Sequence, residues 1–306
     1  MEFRPHAIAG INLLLVQSLC VLLTCTSPDR ESGTGKCAAE ARLEEALGLV
    51  KANRHDQAYE LYEEIVSFCP ESAEALFHLG VLEFMKSDYE GAAHHFSESL
   101  RHDPMNADAW QRLGLTRLKQ QRFKEAAEAF GESFEIEPDM SVKLKEGSAE
   151  LAAGDRDTAR RIFETMILED PLQHGALYFL GNIHRAEGDA HRAARFYEAA
   201  IKLHPSLVEA YVNLASIRYA DGRYDEAASL LEKTLVEVPL SAPSDPMVRL
   251  NLGLCYLQMK DHEKAKENLR VYMKFAAEGE DKDKVRGILN QLEALNDSSP
   301  SVKGEN

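Results

Sequence analysis

Six prolines cut the chain into near-equal lengths. Pro70, Pro104, Pro138, Pro171, Pro205 and Pro239 stand 34, 34, 33, 34 and 34 residues apart. Ala58, Ala92, Ala126, Ala159, Ala193, Ala227 and Ala265 keep the same step until the last interval, which is 38. Four residues after each alanine comes a large side chain: Tyr62, Phe96, Phe130, Phe163, Tyr197, Leu231 and Leu269. Twelve residues before each comes a small one: Ala46, Gly80, Gly114, Gly147, Gly181, Ala215 and Gly253. Three columns of seven members and one of six, all in register, confine the chain to a stack of like units. No such unit can bury its apolar face alone, so neighbours must build one continuous core.

The residue types in each column have physical reasons. In the third unit Trp110, Leu113 and Phe130 fall at helical spacing and are expected to fill a seam between helices. Gly114 and Ala126 are small, so two helices can approach closely there. Pro138 has no amide hydrogen and stops a helix. Gly154, Gly188 and Gly222 fall in turns, where a positive φ costs glycine little.

This pattern closely resembles the tetratricopeptide repeat, over residues 39–279. The resemblance implies an all-α, right-handed superhelical solenoid of about seven helix-turn-helix units, at 39–72, 73–106, 107–139, 140–173, 174–207, 208–241 and 246–279. Terminal units of such arrays are often atypical. Here the first carries Arg42 and Glu45 where the family prefers large apolar residues. A capping helix is expected over 280–296, with Val285, Ile288, Leu289, Leu292 and Leu295 as one apolar stripe, and a disordered tail over 297–306. The fourth repeat is one residue short and its large-residue column is weak, so looser packing is expected there. Ala242-Pro-Ser-Asp-Pro246 holds the four extra residues before the seventh repeat, and its two prolines suggest a rigid loop.

The N-terminus reads differently. Arg4 precedes an apolar stretch from Ala7 to Cys25, and polar residues follow from Thr26. That is the layout of a signal peptide over 1–25, with a linker at 26–38. The stretch is also close to the ~17-residue lower limit for a membrane span. Leu22-Leu23-Thr24-Cys25 resembles a bacterial lipobox, although that family prefers Gly, Ala or Ser where Thr24 stands. The resemblance implies lipidation of Cys25; ordinary cleavage and an uncleaved anchor are the alternatives. Each places the repeats outside the cytosol, in the periplasm, on the outer membrane or secreted.

Catalytic chemistry is not legible. Gly33-Thr-Gly-Lys-Cys37 matches only the end of a phosphate-binding loop, because Arg30 stands where that loop needs glycine. His94 and His95 are adjacent, and neighbours on a helix point about 100° apart, so they suit no common metal ion. There is no His-Glu-x-x-His and no paired Cys-x-x-Cys. The carboxylates recur on solvated faces in every repeat. The reading is therefore no enzyme, no cofactor, no metal and no small-molecule substrate. With 51 Asp plus Glu against 35 Lys plus Arg, the surface repels phosphate backbones, so nucleic acid is not the expected partner. Cys37 and Cys69 fall near ends of one antiparallel helix pair and could form a disulfide, or be independent small residues. Cys255, beside Leu254 and Leu257, reads as core.

The resemblance implies a binding surface as well, since the first helix of each repeat lines the concave side in that family. The residues so placed are Phe77 and His78, then Arg112, Lys145, Tyr178, Asn182, Asn213, Tyr219 and Asn251. An asparagine offers both a donor and an acceptor to a peptide backbone. Asn182, Asn213 and Asn251 resemble three rungs of the asparagine ladder in the repeats of O-linked N-acetylglucosamine transferase, whose catalytic part is absent here. The family's clamp for acidic C-termini is not built, because Tyr178, Phe179 and Met247 stand around its basic slots. The expected partner is an extended or helical segment of another protein, of neutral or basic character with apolar anchors. The expected role is an adaptor in cell-envelope assembly or secretion, tethered to a membrane through its N-terminus. The alternative is a self-associating structural protein that uses its convex or end faces.

Overall fold

The computed structural model describes the backbone of residues 34–237 and 246–297, with side chains over 40–235 and 246–294. Its described residues form fifteen α-helices and no strand. They are α1 (Thr34–Lys51), α2 (His55–Phe68), α3 (Ala73–Met85), α4 (Tyr89–His102), α5 (Ala107–Lys119), α6 (Phe123–Ile136), α7 (Met140–Ala153) and α8 (Arg156–Glu169). They continue as α9 (His174–Ala186), α10 (Ala190–Leu203), α11 (Val208–Ala220), α12 (Tyr224–Glu237), α13 (Pro246–Gln258), α14 (His262–Phe275) and α15 (Glu280–Asp297). The chain divides into two compact units, residues 1–142 and 143–306.

The proline column sets where helices end. The second helix of each of the first six repeats stops two residues before its proline. The pre-proline residue is held out of the helical region by the pyrrolidine ring. Cys69, Asp103, Glu137, Asp170 and His204 accordingly share φ between −133° and −140° with ψ of 76–101°.

The turns inside the repeats are equally uniform. Gly154, Gly188 and Gly222 adopt φ of +92°, +83° and +77°. The other four repeats put Asn53, Ser87, Gln121 and Lys260 in that same left-handed position, with φ of +56° to +65°. The turn is thus fixed by the packing of the pair and not by glycine. The residue that follows is the N-cap of the second helix. Where it is Asp88, Asp155, Asp189 or Asp261, its carboxylate accepts the amide three residues on, at 3.0, 3.0, 2.9 and 3.1 Å.

Within each pair the small column meets the large one sixteen residues later. A β-carbon at Gly181 would lie 2.6 Å from the Tyr197 ring, and one at Gly147 would lie 2.6 Å from Phe163. At this crossing the fourth repeat is as close as the fifth; its short length falls before α7, where Asp139 accepts from Ser141 N at 2.7 Å. At the first-helix position held by Leu76, Trp110, Leu177 and Tyr211, the first and fourth repeats carry the cations Arg42 and Lys143. Arg42 reaches Glu64 at 2.7 Å, and Lys143 reaches Glu146 at 2.9 Å. Trp110 packs against the α4–α5 core with its indole N–H donated to the Pro104 carbonyl at 2.9 Å.

At the end of the second unit α15 lays Val285 and Leu289 against Leu250, Leu269 and Tyr272, and Leu292 joins the α11–α14 core. The Cys255 thiol is in that core, 1% exposed, and burial pushes its pKa up to about 11. Residues 1–33, 238–245 and 298–306 lie outside the described residues. So therefore do the signal-peptide reading, Cys25, most of the linker, most of the proline loop and most of the tail. Cys37 lies in the first turn of α1 and not ahead of it. Its side chain is outside the described set, whereas Cys69 is half-buried at the end of α2.

Candidate peptide-binding faces

In the second unit the predicted asparagines come together. Asn182 on α9 and Asn213 on α11 occupy consecutive first helices, and Asn213 Nδ2 donates to Asn182 Oδ1 at 3.0 Å. The same oxygen accepts the Tyr197 hydroxyl from α10 at 2.7 Å. Asn182 is thus held from below by a wholly buried tyrosine and from the side by the next rung. Burial pushes the Tyr197 pKa up to about 12, with Arg185 and Asn213 pulling the other way. Among the described residues the Asn182 amide N–H pair and the Asn213 side-chain carbonyl have no hydrogen bond. Asn251, one helix pair further on, is half-buried and has no side-chain hydrogen bond among the described residues. A row of fixed amides with free donors and acceptors can pair with a peptide backbone whatever its side chains.

The aromatic members of the predicted set divide between core and surface. Tyr178 packs edge-on to Phe179 at 5.4 Å and tilts over Tyr197 at 6.0 Å, in the core cluster of α10 and α11. Phe179 stacks flat on Phe163 at 5.0 Å. Tyr219 meets Tyr224 edge-on at 5.1 Å, across the turn between α11 and α12. Each is half-buried, so each keeps an exposed edge while its ring is fixed. Lys145 on α7 is half-buried.

The first unit presents a different face. His78 on α3 stacks on Tyr62 at 5.1 Å with an 18° interplanar angle, and Phe77 stands edge-on to it at 5.2 Å. Burial holds the His78 pKa below the usual imidazole range, against the opposing fields of Glu74 and Asp108. Arg112 on α5 reaches Asp108 one turn back, at 3.4 Å. Phe77 also tilts over Phe96 at 5.8 Å and belongs partly to the core. The sequence reading missed the two tyrosine hydroxyls beneath these faces. Their signal was present, as the two positions in the large column where tyrosine replaces phenylalanine or leucine. Among the described residues no group of three or more His, Cys, Asp or Glu side chains could hold a metal ion. None of the described helices is long and apolar enough to cross a membrane.

Stacked helix pairs that fix half-buried amide and aromatic side chains along their first helices define a helical-repeat interaction scaffold. The sequence pattern of the tetratricopeptide repeat matches residues 43–98, 86–137 and 144–208, and in a second form 184–242 and 219–291. The chain belongs to the tetratricopeptide repeat family, whose members bind other proteins or peptides and are generally non-catalytic scaffolds. No curated protein sequence matches it. Among solved structures, a tetratricopeptide repeat protein from Parabacteroides merdae is similar with a TM-score of 0.61 at 14% identity, over 83% of this chain and 98% of that one. Human IFIT1 dimer with m7Gppp-AAAA is similar with a TM-score of 0.55 at 16% identity, over 85% and 65%. YrrB, a repeat protein with an unusual peptide-binding site, is similar with a TM-score of 0.51 at 22% identity, over 55% and 88%. These likenesses bear on the fold alone.

Proposed function

We propose that this chain is a non-catalytic adaptor that holds an extended segment of a partner protein against the first helices of its repeats. The proposal includes a location outside the cytosol, tethered through the N-terminal 25 residues, and a role in assembling or exporting envelope proteins. The observation that carries the peptide reading is the Tyr197–Asn182–Asn213 chain of hydrogen bonds, at 2.7 and 3.0 Å. It fixes two amides in place and leaves the outward donors and acceptors free. Preorganised groups of this kind lose little entropy when a ligand pairs with them.

The test is crosslinking in native cells, comparing wild type with Asn213→Ala/Asn251→Ala. Asn182 is left in place because it supports the buried Tyr197 hydroxyl. Circular dichroism first establishes that both proteins are folded. A partner identified by mass spectrometry, crosslinked to α9, α11 or α13 in wild type and lost in the variant, supports the groove. Unchanged crosslinks refute it. The mass of the chain purified from membranes reports on the leader: a diacylglyceryl modification at Cys25 is expected, and an intact N-terminus in the soluble fraction would refute tethering.

A further inference from the structure

Tyr62 and Tyr197 are equivalent residues in the large column, yet their hydroxyls fare differently. The Tyr197 hydroxyl reaches the first-helix face and finds Asn182 there. Tyr62 is 0% exposed, and its hydroxyl has no hydrogen-bond partner among the described residues. The residue equivalent to Asn182 is Leu47, and the one equivalent to Asn213 is His78, which stacks on the Tyr62 ring instead of bonding to it. A buried hydroxyl left unpaired destabilises a fold, so its presence on one face of the repeat requires an explanation.

Glu74 on the following first helix acts on that hydroxyl. Glu40, Glu74 and Asp108 stand 34 residues apart at one register position of three successive first helices, and all are exposed. The same column continues as Ser141, Gly175, Glu209 and Met247, so the row belongs to the first unit. Glu74 acts on both Tyr62 and His78, and Asp108 acts on His78. Burial keeps His78 neutral near pH 7, so it does not offset these charges. Arg112 offsets Asp108 alone, from one helical turn away.

We infer that the first-helix face of the first unit takes an extended protein segment bearing lysine or arginine, with Glu74 and Asp108 as counter-charges and the Tyr62 hydroxyl as the acceptor beneath. The inference rests on the groove reading above and gives it a partner chemistry. An ammonium or guanidinium head has several donors and no acceptor, which suits two carboxylates and one orphan hydroxyl oxygen. The Tyr62 hydroxyl is wholly buried and the half-buried His78 imidazole stacks on its ring, so the incoming cation reaches it by turning that imidazole aside. Phe77, Val81 and Phe84 on α3 are partly buried and supply apolar contact for the residues between the cations.

The experiment is selection of a random-sequence peptide library on the full chain, followed by titration of the enriched peptides. Enriched peptides should carry Lys or Arg. Glu74→Gln/Asp108→Asn should weaken them about tenfold at low salt, and less as salt is raised. Tyr62→Phe should weaken them about threefold with no loss of thermal stability, since the hydroxyl it removes has no partner in the free protein. Glu128→Gln/Glu132→Gln removes the same charge from the exposed face of α6 and should change nothing. If this control weakens binding equally, the attraction is one of net charge and the inference is wrong. Enriched peptides without Lys or Arg would overturn it and leave the groove reading intact. A selection that enriches nothing overturns both.

Discussion

Tyr197 closes its ring over Gly181 and gives its hydroxyl to Asn182, the very next residue of the same helix. The two contacts fix one side chain at both ends: a β-carbon on Gly181 would fall 2.6 Å from the ring, and the hydroxyl bond is 2.7 Å. Gly181→Ala should therefore destabilise the chain by about 1–3 kcal/mol, because a ring held at its tip cannot retreat from the added methyl. The first repeat supplies the contrast. Ala46 and Tyr62 share one core cluster there with both wholly buried, and the Tyr62 hydroxyl has no partner among the described residues. Thermal melts of Gly181→Ala alone and with Tyr197→Phe check the reasoning. Removing the hydroxyl should recover part of the loss.

Asn182 has a structural share in addition to any binding role. Asn182→Leu leaves the Tyr197 hydroxyl buried without an acceptor, at a cost of about 1–3 kcal/mol. In Tyr197→Phe/Asn182→Leu both partners are gone, and the cost should be smaller than the sum of the single changes. Urea unfolding of the four proteins gives the coupling. A coupling of zero would mean that the bond contributes nothing to the folded state.

How much of this could be read beforehand depends on which residues carry period and which carry contact. The columns at Gly181, Ala193, Tyr197 and Pro205 announce the helix pair, because each is demanded by backbone geometry that recurs seven times, or six for the proline. The asparagines could be placed on first helices for the same reason. The sequence was silent on what their side chains do, because whether Asn182 faces a ligand or a neighbour depends on a tyrosine fifteen residues away. The turns misled in the opposite sense. Glycine marked only Gly154, Gly188 and Gly222, while Gln121 and Lys260 take the same left-handed backbone under tertiary constraint, with no local signal. A linker over 26–38 puts Cys37 ahead of the first helix, because the polar segment from Thr26 to Lys36 reads as irregular. The structure begins α1 at Thr34.

The strained turns make a third prediction. Gln121 and Lys260 hold φ of +59° and +61°, where a β-carbon crowds the backbone. Gln121→Gly and Lys260→Gly should each stabilise by roughly 0.5–1 kcal/mol, the relief of strain exceeding the entropy gained by the unfolded chain. Gly188→Ala, at φ +83°, should lose about the same or more. Differential scanning calorimetry reads all three. A fall in stability for both glycine variants would show that the side chains, not the backbone, determine these turns.

Stability should also respond to pH through three histidines of opposite sign. His95 Nδ1 lies 2.6 Å from Glu83 Oε2, a carboxylate only 6% exposed that also accepts the Tyr59 hydroxyl at 3.2 Å. The hydrogen bond to Glu83 raises the His95 pKa. A raised folded-state pKa gives stability that is complete below the unfolded value, about 6.5, and is lost as pH rises through the folded value. His78 and His174 run the other way: burial lowers both, and for His174 the His204 ring stacked at 4.4 Å adds to the effect. Their contribution is complete above about 6.5 and is lost as pH falls through their lowered values. Glu83→Gln should therefore cost more stability at pH 6 than at pH 8.5, as it removes the charge that His95 pairs with. His174→Phe should reduce the loss on the acid side of the profile without abolishing it, because one of the two imidazoles that burial holds neutral is gone and His78 remains. Urea midpoints from pH 5 to 8.5 for wild type and both variants separate the two signs. A Glu83→Gln deficit that is constant across the range would mean that His95 stays neutral and the bond acts only as a dipole contact.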